Sequence, residues 1–321
     1  MQRRKFLQTS SLLGVLPLLQ TDAFNLFNKP YFMNDEVVTI TVGKITCTLF
    51  RDLMFKYLAK DFFINASQEE LNQSLVKYHL QPDNIPSPFI AMLLQYDDKK
   101  ILVDTGIGFL EEALVFRGNS FVFKGRMHQL LQQENIKKEA ITDLIITHFH
   151  PDHIGGIFNH DGTLNFPNAK FHMHEEEWDF WHSPQSDNQP ALFKYFIEKN
   201  ITPLRNGHLH LFKGDSVDLV PGIRAVKAGG HTPGQIAVNV HAGSDHLLYI
   251  SDAFLHPLHI ERTDWQTNYD WDQQKAKKSR IKLAELAHKD NMLVNAFHFD
   301  FPGLGRIEKN SNNWTWNYTK K

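Results

Sequence analysis

The run His148-Phe149-His150-Pro151-Asp152-His153 follows directly on the apolar stretch Leu144-Ile145-Ile146-Thr147, and it constrains this chain more than any other feature. Four groups able to ligate a metal fall within six residues where a buried strand ends. In extended backbone, residues i and i+2 point the same way, so His148 and His150 can grip one ion. Pro151 breaks the strand and suits the first position of a helix, which aims Asp152 and His153 at a different point in space. One motif can therefore serve two metals. In a chain of 321 residues with 18 histidines, His-x-His-x-Asp-His is expected by chance in roughly four of a thousand such chains, so coincidence is the weaker explanation.

Further ligands recur in the same setting, each where an apolar run stops. His231 sits in the tight loop Gly229-Gly230-His231-Thr232-Pro233-Gly234 after strand-like Ile223 to Val226, Asp252 follows Leu248-Tyr249-Ile250-Ser251, and His298 follows Val294-Asn295-Ala296-Phe297. One ion held by His148, His150 and His231 and another held by Asp152, His153 and His298 can share Asp252 as a bridging carboxylate. Each ion keeps an open position for water, as catalytic sites do. A hydroxide bridging two ions about 3.5 to 4 Å apart is a nucleophile at neutral pH; Asp152 and Asp252 would hold it, and hydrolysis is the implied chemistry. The one cysteine, Cys47, can form neither an internal disulfide nor a thiolate cage. It reads as a small buried apolar side chain.

At these residues the chain resembles the metallo-β-lactamase superfamily, whose motif His-x-His-x-Asp-His is followed in order by His, Asp and His. The resemblance spans about residues 37 to 310. It implies an α/β fold, an αββα sandwich of two mixed β-sheets flanked by helices, and the seven ligand roles above with two zinc ions per chain. Iron or manganese suits the same ligands. Asp104, ending Ile101-Leu102-Val103, resembles the early Asp that orients a ligand histidine; a strand-end turn residue is its competing reading. Phe166-Pro167-Asn168-Ala169, Trp178-Asp179-Phe180-Trp181, Asp218 to Ile223 and Phe301-Pro302-Gly303-Leu304-Gly305 resemble the methyl parathion hydrolase and lactonase-type branch. That likeness implies an aromatic-lined substrate pocket walled by Phe121, Trp181 and Phe196, with Phe123 or Phe193 as substitutes. Gln235 departs from the superfamily's frequent His-Thr-Pro-Gly-His, at a position that is not usually a ligand. The implied function is a dinuclear zinc hydrolase of a neutral, fairly apolar ester, lactone or phosphotriester. β-Lactam hydrolysis and metal binding without turnover are the alternatives; for the former, Asp252 stands where one major lactamase type uses a Cys ligand.

Composition narrows the partners. The chain is 42% hydrophobic with 12% aromatics including 25 Phe, which makes it globular, and its net charge of −2 comes without a basic run, so a small molecule is expected and nucleic acid is not. A homodimer is left open. Arg3-Arg4-Lys5-Phe6-Leu7-Gln8 before apolar Leu12 to Leu19 resembles a twin-arginine export signal, giving a signal at residues 1–25, one hydrolase domain at 33–321, a periplasmic or exported location in a bacterium, and no integral membrane segment once the signal is removed. Strands are expected at Val37 to Val42, Ile45 to Phe50, Phe89 to Tyr96, Ile101 to Asp104, Leu144 to Thr147, Lys170 to Met173, Leu247 to Ile250 and Leu293 to Phe297. Ser67-Gln68-Glu69-Glu70 opens a helix bearing Leu71, Leu75 and Tyr78 and ended by Pro82. In Gln273 to Lys289, Ala276, Leu283, Ala284 and Ala287 keep helical spacing, while Lys275, Lys277, Lys278, Arg280 and Lys282 read as a solvated face. The pairs His172/His174, His208/His210, His241/His246 and His256/His259 lack a third ligand nearby and read as structural.

Overall fold

Apolar runs long enough to be buried on both faces dominate the first third of the chain, and they set its layers. In a computed structural model the described residues are 36–321 apart from 111–112, 117–118, 206–207, 312 and 320–321. The export signal expected at residues 1–25 and the expected domain start at 33 lie outside them. The strands are β1 (Val37–Val42), β2 (Ile45–Tyr57), β3 (Ile85–Tyr96), β4 (Lys99–Val103), β5 (Leu114–Phe116), β6 (Asn119–Phe121), β7 (Asp143–Ile145), β8 (Lys170–His174), β9 (Leu209–Phe212), β10 (Ser216–Val220), β11 (Ile223–Lys227), β12 (Ile236–Ala242), β13 (Asp245–Tyr249), β14 (Leu293–Asn295), β15 (Leu304–Asn310) and β16 (Asn313–Tyr318). One seven-stranded sheet runs β1-β2-β3-β4-β7-β8-β9, a second runs β10 to β16 in sequence order, and β5-β6 is a separate hairpin.

Both sheets are mixed, as expected. In the first, β1 to β4 are antiparallel neighbours while β4, β7, β8 and β9 run parallel. In the second, only β13 and β14 pair in parallel. The helix Gln273–Lys289 covers the outer face of the second sheet, burying Leu283, Ala284 and Ala287 against Val226, Ala237 and Leu248. This is the αββα sandwich. Parallel pairing of β4 with β7 brings Asp104 beside Thr147 (Thr147 N–H to Asp104 Oδ1, 2.9 Å), so the metal-binding run starts at the edge where both strands end.

Three sequence expectations need correction. Strand β2 continues past Phe50 to Tyr57 through an irregularity between Arg51 and Leu53, and β3 starts at Ile85 despite Pro86 and Pro88. At that irregularity Asp52 turns inward, fully buried, and accepts from the N–H groups of Ile107 (2.8 Å) and Met127 (2.7 Å). Gly106, at φ +75°, passes so close to this carboxylate that a Cβ there would lie 2.4 Å from Asp52 Oδ2, which leaves glycine as the residue that fits. Asp52 thereby pins the base of the segment carrying β5, β6 and Phe121. The capped helix runs Gln68–Lys77 with Ser67 Oγ donating to Glu70 Oε2 (2.6 Å), but Tyr78 is its cap and His79 at φ +56° ends it before Pro82 is reached. The third correction is Arg280, which is 1% exposed and points inward. Among the described residues no helix is long and apolar enough to cross a membrane.

Candidate metal centre

The seven predicted ligands converge at one end of the sandwich, all buried. His148, His150, His231 and Asp252 form one group whose ligand atoms lie within 4.8 Å of one another, and Asp152, His153, Asp252 and His298 form another. Among the described residues no other group of this kind exists. The short helix Pro151–Ile154 begins at the proline and carries Asp152 and His153 away from His148 and His150. Asp252 stands in a tight turn entered through Ser251 at φ +47°. Its Oδ2 lies 3.4 Å from His231 Nε2 and 3.1 Å from His298 Nε2, while Oδ1 lies 3.3 Å from His153 Nε2. His150 Nδ1 is 2.9 Å from His231 Nε2, and Asp152 Oδ2 is 3.5 Å from His298 Nε2.

Whether this constellation suits a metal is tested by its loose ends. His148 Nε2, His153 Nε2 and Asp252 Oδ1 are buried with no hydrogen-bond partner among the described residues, an arrangement that burial alone penalises. Each belongs to a side chain of the two groups. Imidazole and carboxylate donors without thiolate suit zinc, and iron or manganese as well. Burial and neighbouring imidazoles hold His148 and His150 well below the ordinary histidine value. Burial opposes charge on His231 too, yet Asp252 and Asp270 together outweigh it and lift that ring to about 9. At His153 burial is likewise outweighed, by Asp252, Asp104 and Asp152. Asp252 is drawn well below the usual carboxylate range, where His298 and His153 overcome its burial, while burial raises Asp152. An entering ion must displace the protons these groups share.

Asp104 stands beside His153 at the end of β4. Its Oδ2 lies 2.8 Å from His153 Nδ1 and accepts from Thr147 Oγ1 (2.8 Å) and from Tyr249 Oη (3.0 Å). This leaves His153 Nε2 to face Asp252. Two groups that the sequence reading missed surround the other histidines. Glu177, 1% exposed, accepts from the N–H of Phe149 (2.9 Å) and the indole N–H of Trp181 (2.7 Å) at Oε1, and from Thr232 Oγ1 (2.6 Å) and the N–H of Gly234 (3.0 Å) at Oε2. Asp270 Oδ1 lies 3.1 Å from His231 Nδ1, and its Oδ2 accepts from Arg280 Nη2 at 2.7 Å. Glu177 is one of three consecutive glutamates, and Asp270 sits in a polar loop, so nothing in the pattern marks either. The structural histidines stay outside: His172 contacts Asp143 (2.9 Å) and His210 (2.9 Å), His174 and His256 cap helices, and His259 donates to Phe62 O (2.8 Å). Cys47 and Gln235 are fully buried away from both ligand groups.

Above the ligands opens a cleft of about 580 Å³, counted to its mouth, lined by Phe55, Tyr57, Phe89, Phe121, Phe123 and Phe193 among others. Among the described residues its lining holds no Lys or Arg. Phe121 is among the residues lining this cleft. Trp181 lines an adjoining recess with His150, His231 and Trp271. Phe196 is in neither lining; it is 2% exposed, packed beneath the Gly155 backbone, and Phe193 on the same helix takes the position facing His150, ring centroids 4.6 Å apart. The helix Ala191–Asn200 turns its 193 position, not 196, toward the site.

Comparison with known proteins agrees with this architecture. Residues 91–290 match the model of the metallo-β-lactamase superfamily. A probable metallo-hydrolase of Mycobacterium tuberculosis is 26% identical over 239 residues, 65% of this chain and 73% of that protein. An N-acyl homoserine lactonase of Bacillus cereus is 24% identical over 256 residues, 73% of this chain and 91% of that protein. Among solved structures, AidC, a dizinc quorum-quenching lactonase in complex with a product, superposes with a TM-score of 0.76 at 24% identity, covering 89% of this chain and 98% of that one. The hydrolase AbOPH gives 0.77 at 24% identity with the same coverage. With the family model spanning most of the chain and the ligand motif inside it, the chain belongs to the metallo-β-lactamase superfamily.

Proposed function

We propose that this metal-dependent hydrolase carries two zinc ions and cleaves neutral, fairly apolar substrates, lactones first and aryl esters or phosphotriesters after them. The observation that carries the reading is the sharing of Asp252 by two complete ligand groups at the floor of an aromatic cleft. Two zinc ions bound there would supply a water activated near neutral pH and Lewis acidity toward the bond attacked. The chain's own residues do the rest. Asp104 and Asp270 fix the ring orientation of His153 and His231, and the phenyl walls exclude water from the ester and present an apolar surface to a neutral substrate. The Bacillus cereus relative and the product-bound dizinc structure support lactones ahead of the other classes. Asp152 and Asp252 are the carboxylates assigned to hold the nucleophile.

Two measurements test this reading. Protein prepared without chelator should contain about two ions per chain by inductively coupled plasma analysis, as the two ligand groups require. It should open N-acyl lactones catalytically and lose that activity when the ions are stripped. A metal content of one or none, or turnover of β-lactams in place of lactones, would overturn it. We further propose periplasmic delivery through Arg3 and Arg4. Changing both to Lys should strand active enzyme in the cytoplasm, and unchanged periplasmic activity in fractionated cells would reject the route.

A further inference from the structure

A fully buried guanidinium is costly unless each of its nitrogens finds an acceptor. Arg280, reaching in from the helix Gln273–Lys289, meets this condition with three acceptors: Nε donates to Ala253 O (2.8 Å), Nη1 to Trp265 O (2.9 Å) and Nη2 to Asp270 Oδ2 (2.7 Å). Two of the three lead straight to ligands. Ala253 is the residue after Asp252, and the other oxygen of Asp270 receives His231 Nδ1. The loop that carries Asp270 is itself stitched to the His231 loop, Trp271 N–H donating to His231 O (3.0 Å) and Asp272 N–H to Gly230 O (2.8 Å). Gly230, at φ +135°, lets the two segments close up, since a Cβ there would lie 2.1 Å from the backbone of Ala276.

We propose that Arg280 is a positioning residue for the ion bound by His148, His150 and His231, acting through Asp270 on the ring of His231. With Asp270 held from behind, Nδ1 of His231 is committed to that carboxylate and Nε2 is left facing Asp252 and His150. Without Arg280 the Asp270 side chain, 0% exposed, would lose the guanidinium that holds its Oδ2 and keep only His231 at Oδ1. It would be free to reorient, and the ring it steers would lose its fixed direction. The other ion is less affected by this change, because His153 takes its orientation from Asp104, Thr147 and Tyr249, none of which shares a hydrogen bond with Arg280 among the described residues, and only the Ala253 carbonyl ties Arg280 to the turn of the shared Asp252. The effect therefore falls mainly on one side. This inference rests on the two-ion reading and names the residue that makes the two positions unequal.

The test is a competitive chelator titration of the metal-free protein with cobalt(II), followed by its visible spectrum, for the parent, Arg280→Met, Arg280→Lys and Asp270→Asn. Arg280→Met and Asp270→Asn should weaken one of the two binding steps at least tenfold, within the roughly 10–100-fold that loss of an outer partner costs, and change the other step much less. Arg280→Lys, which keeps the charge but not the fork, should restore part of the loss. Thermal unfolding of the metal-free proteins separates site from scaffold, and the near-isosteric Asp270→Asn stands in should Arg280→Met fail to fold. Two steps at parental affinity in Asp270→Asn, or equal weakening of both steps in every variant, would overturn the assignment. A parent that takes up a single cobalt would refute the two-ion reading instead, and the same variants would then judge Arg280 by whether that one ion weakens.

Discussion

Replacing Asp252 by Ala should empty both metal positions and remove turnover together, a larger loss than any other single substitution at the centre. The reason is geometric. Asp252 is the one side chain common to both ligand groups, with Oδ2 near His231 and His298 and Oδ1 near His153. Without it the first ion is left with three neutral imidazoles, and Asp152 is the only carboxylate remaining among the ligands. In the two-ion reading two dications held about 3.5 to 4 Å apart would repel strongly, so removing the carboxylate common to both groups should weaken both. The fall in affinity should exceed the roughly 10–100-fold typical of an outer partner, and activity should fall at least as far. Asp252→Asn keeps the shape and an oxygen donor but not the charge; it should retain one ion better than two. Metal analysis after gel filtration, with lactone turnover on the same samples, reads both effects. Near-normal rate with two tightly held ions in Asp252→Ala would remove the shared carboxylate from the centre of the site.

The convergence of the seven candidate residues could be anticipated in the sequence because most of them stand at or just after the end of a short apolar run, and ends of strands are where a sandwich collects side chains from distant positions. Leu144 to Thr147 before His148 shows this at its plainest: the spacing of two along extended backbone and the proline at 151 prescribe two directions, and the helix Pro151–Ile154 follows them. Asp104 could be read the same way, from the end of β4. Arg280 could not. On a helix with five cationic residues in its first ten positions, no periodicity distinguishes the one that turns inward, because its burial depends on acceptors from Ala253, Trp265 and Asp270 that arrive only with the tertiary fold. Asp52 was hidden for a related reason. A charged residue in mid-strand argues for a strand end by pattern, and its partners lie 55 and 75 residues away. The cleft walls were half legible, since aromatic richness announces a pocket while helical phase decides whether residue 193 or 196 faces it.

Glu177→Ala should produce the largest loss of stability of any substitution outside the ligands, about 3–5 kcal/mol in the metal-free protein. Four donors converge on the two carboxylate oxygens, a number that only the ionised form can accept. They come from three segments: the Phe149 N–H between His148 and His150, the indole of Trp181, and Thr232 with Gly234 just after His231. Truncation leaves two backbone N–H groups and an indole N–H buried without acceptors, at roughly 1–3 kcal/mol each, less whatever water entering the vacated space returns. Glu177→Gln tests the charge alone. Its amide can accept at one oxygen only, so either Phe149 and Trp181 or Thr232 and Gly234 would meet an NH₂ group, and about half the loss should remain. Because the carboxylate joins the strand end bearing His148 and His150 to the loop bearing His231, both variants should also loosen the three-histidine position while sparing the Asp152, His153 and His298 side. Urea unfolding of metal-free protein gives the first quantity, and stepwise cobalt binding gives the second. A Glu177→Ala protein that unfolds at the parental midpoint would mean that these donors find other acceptors, and the carboxylate would lose its place as the clamp between the two ligand loops.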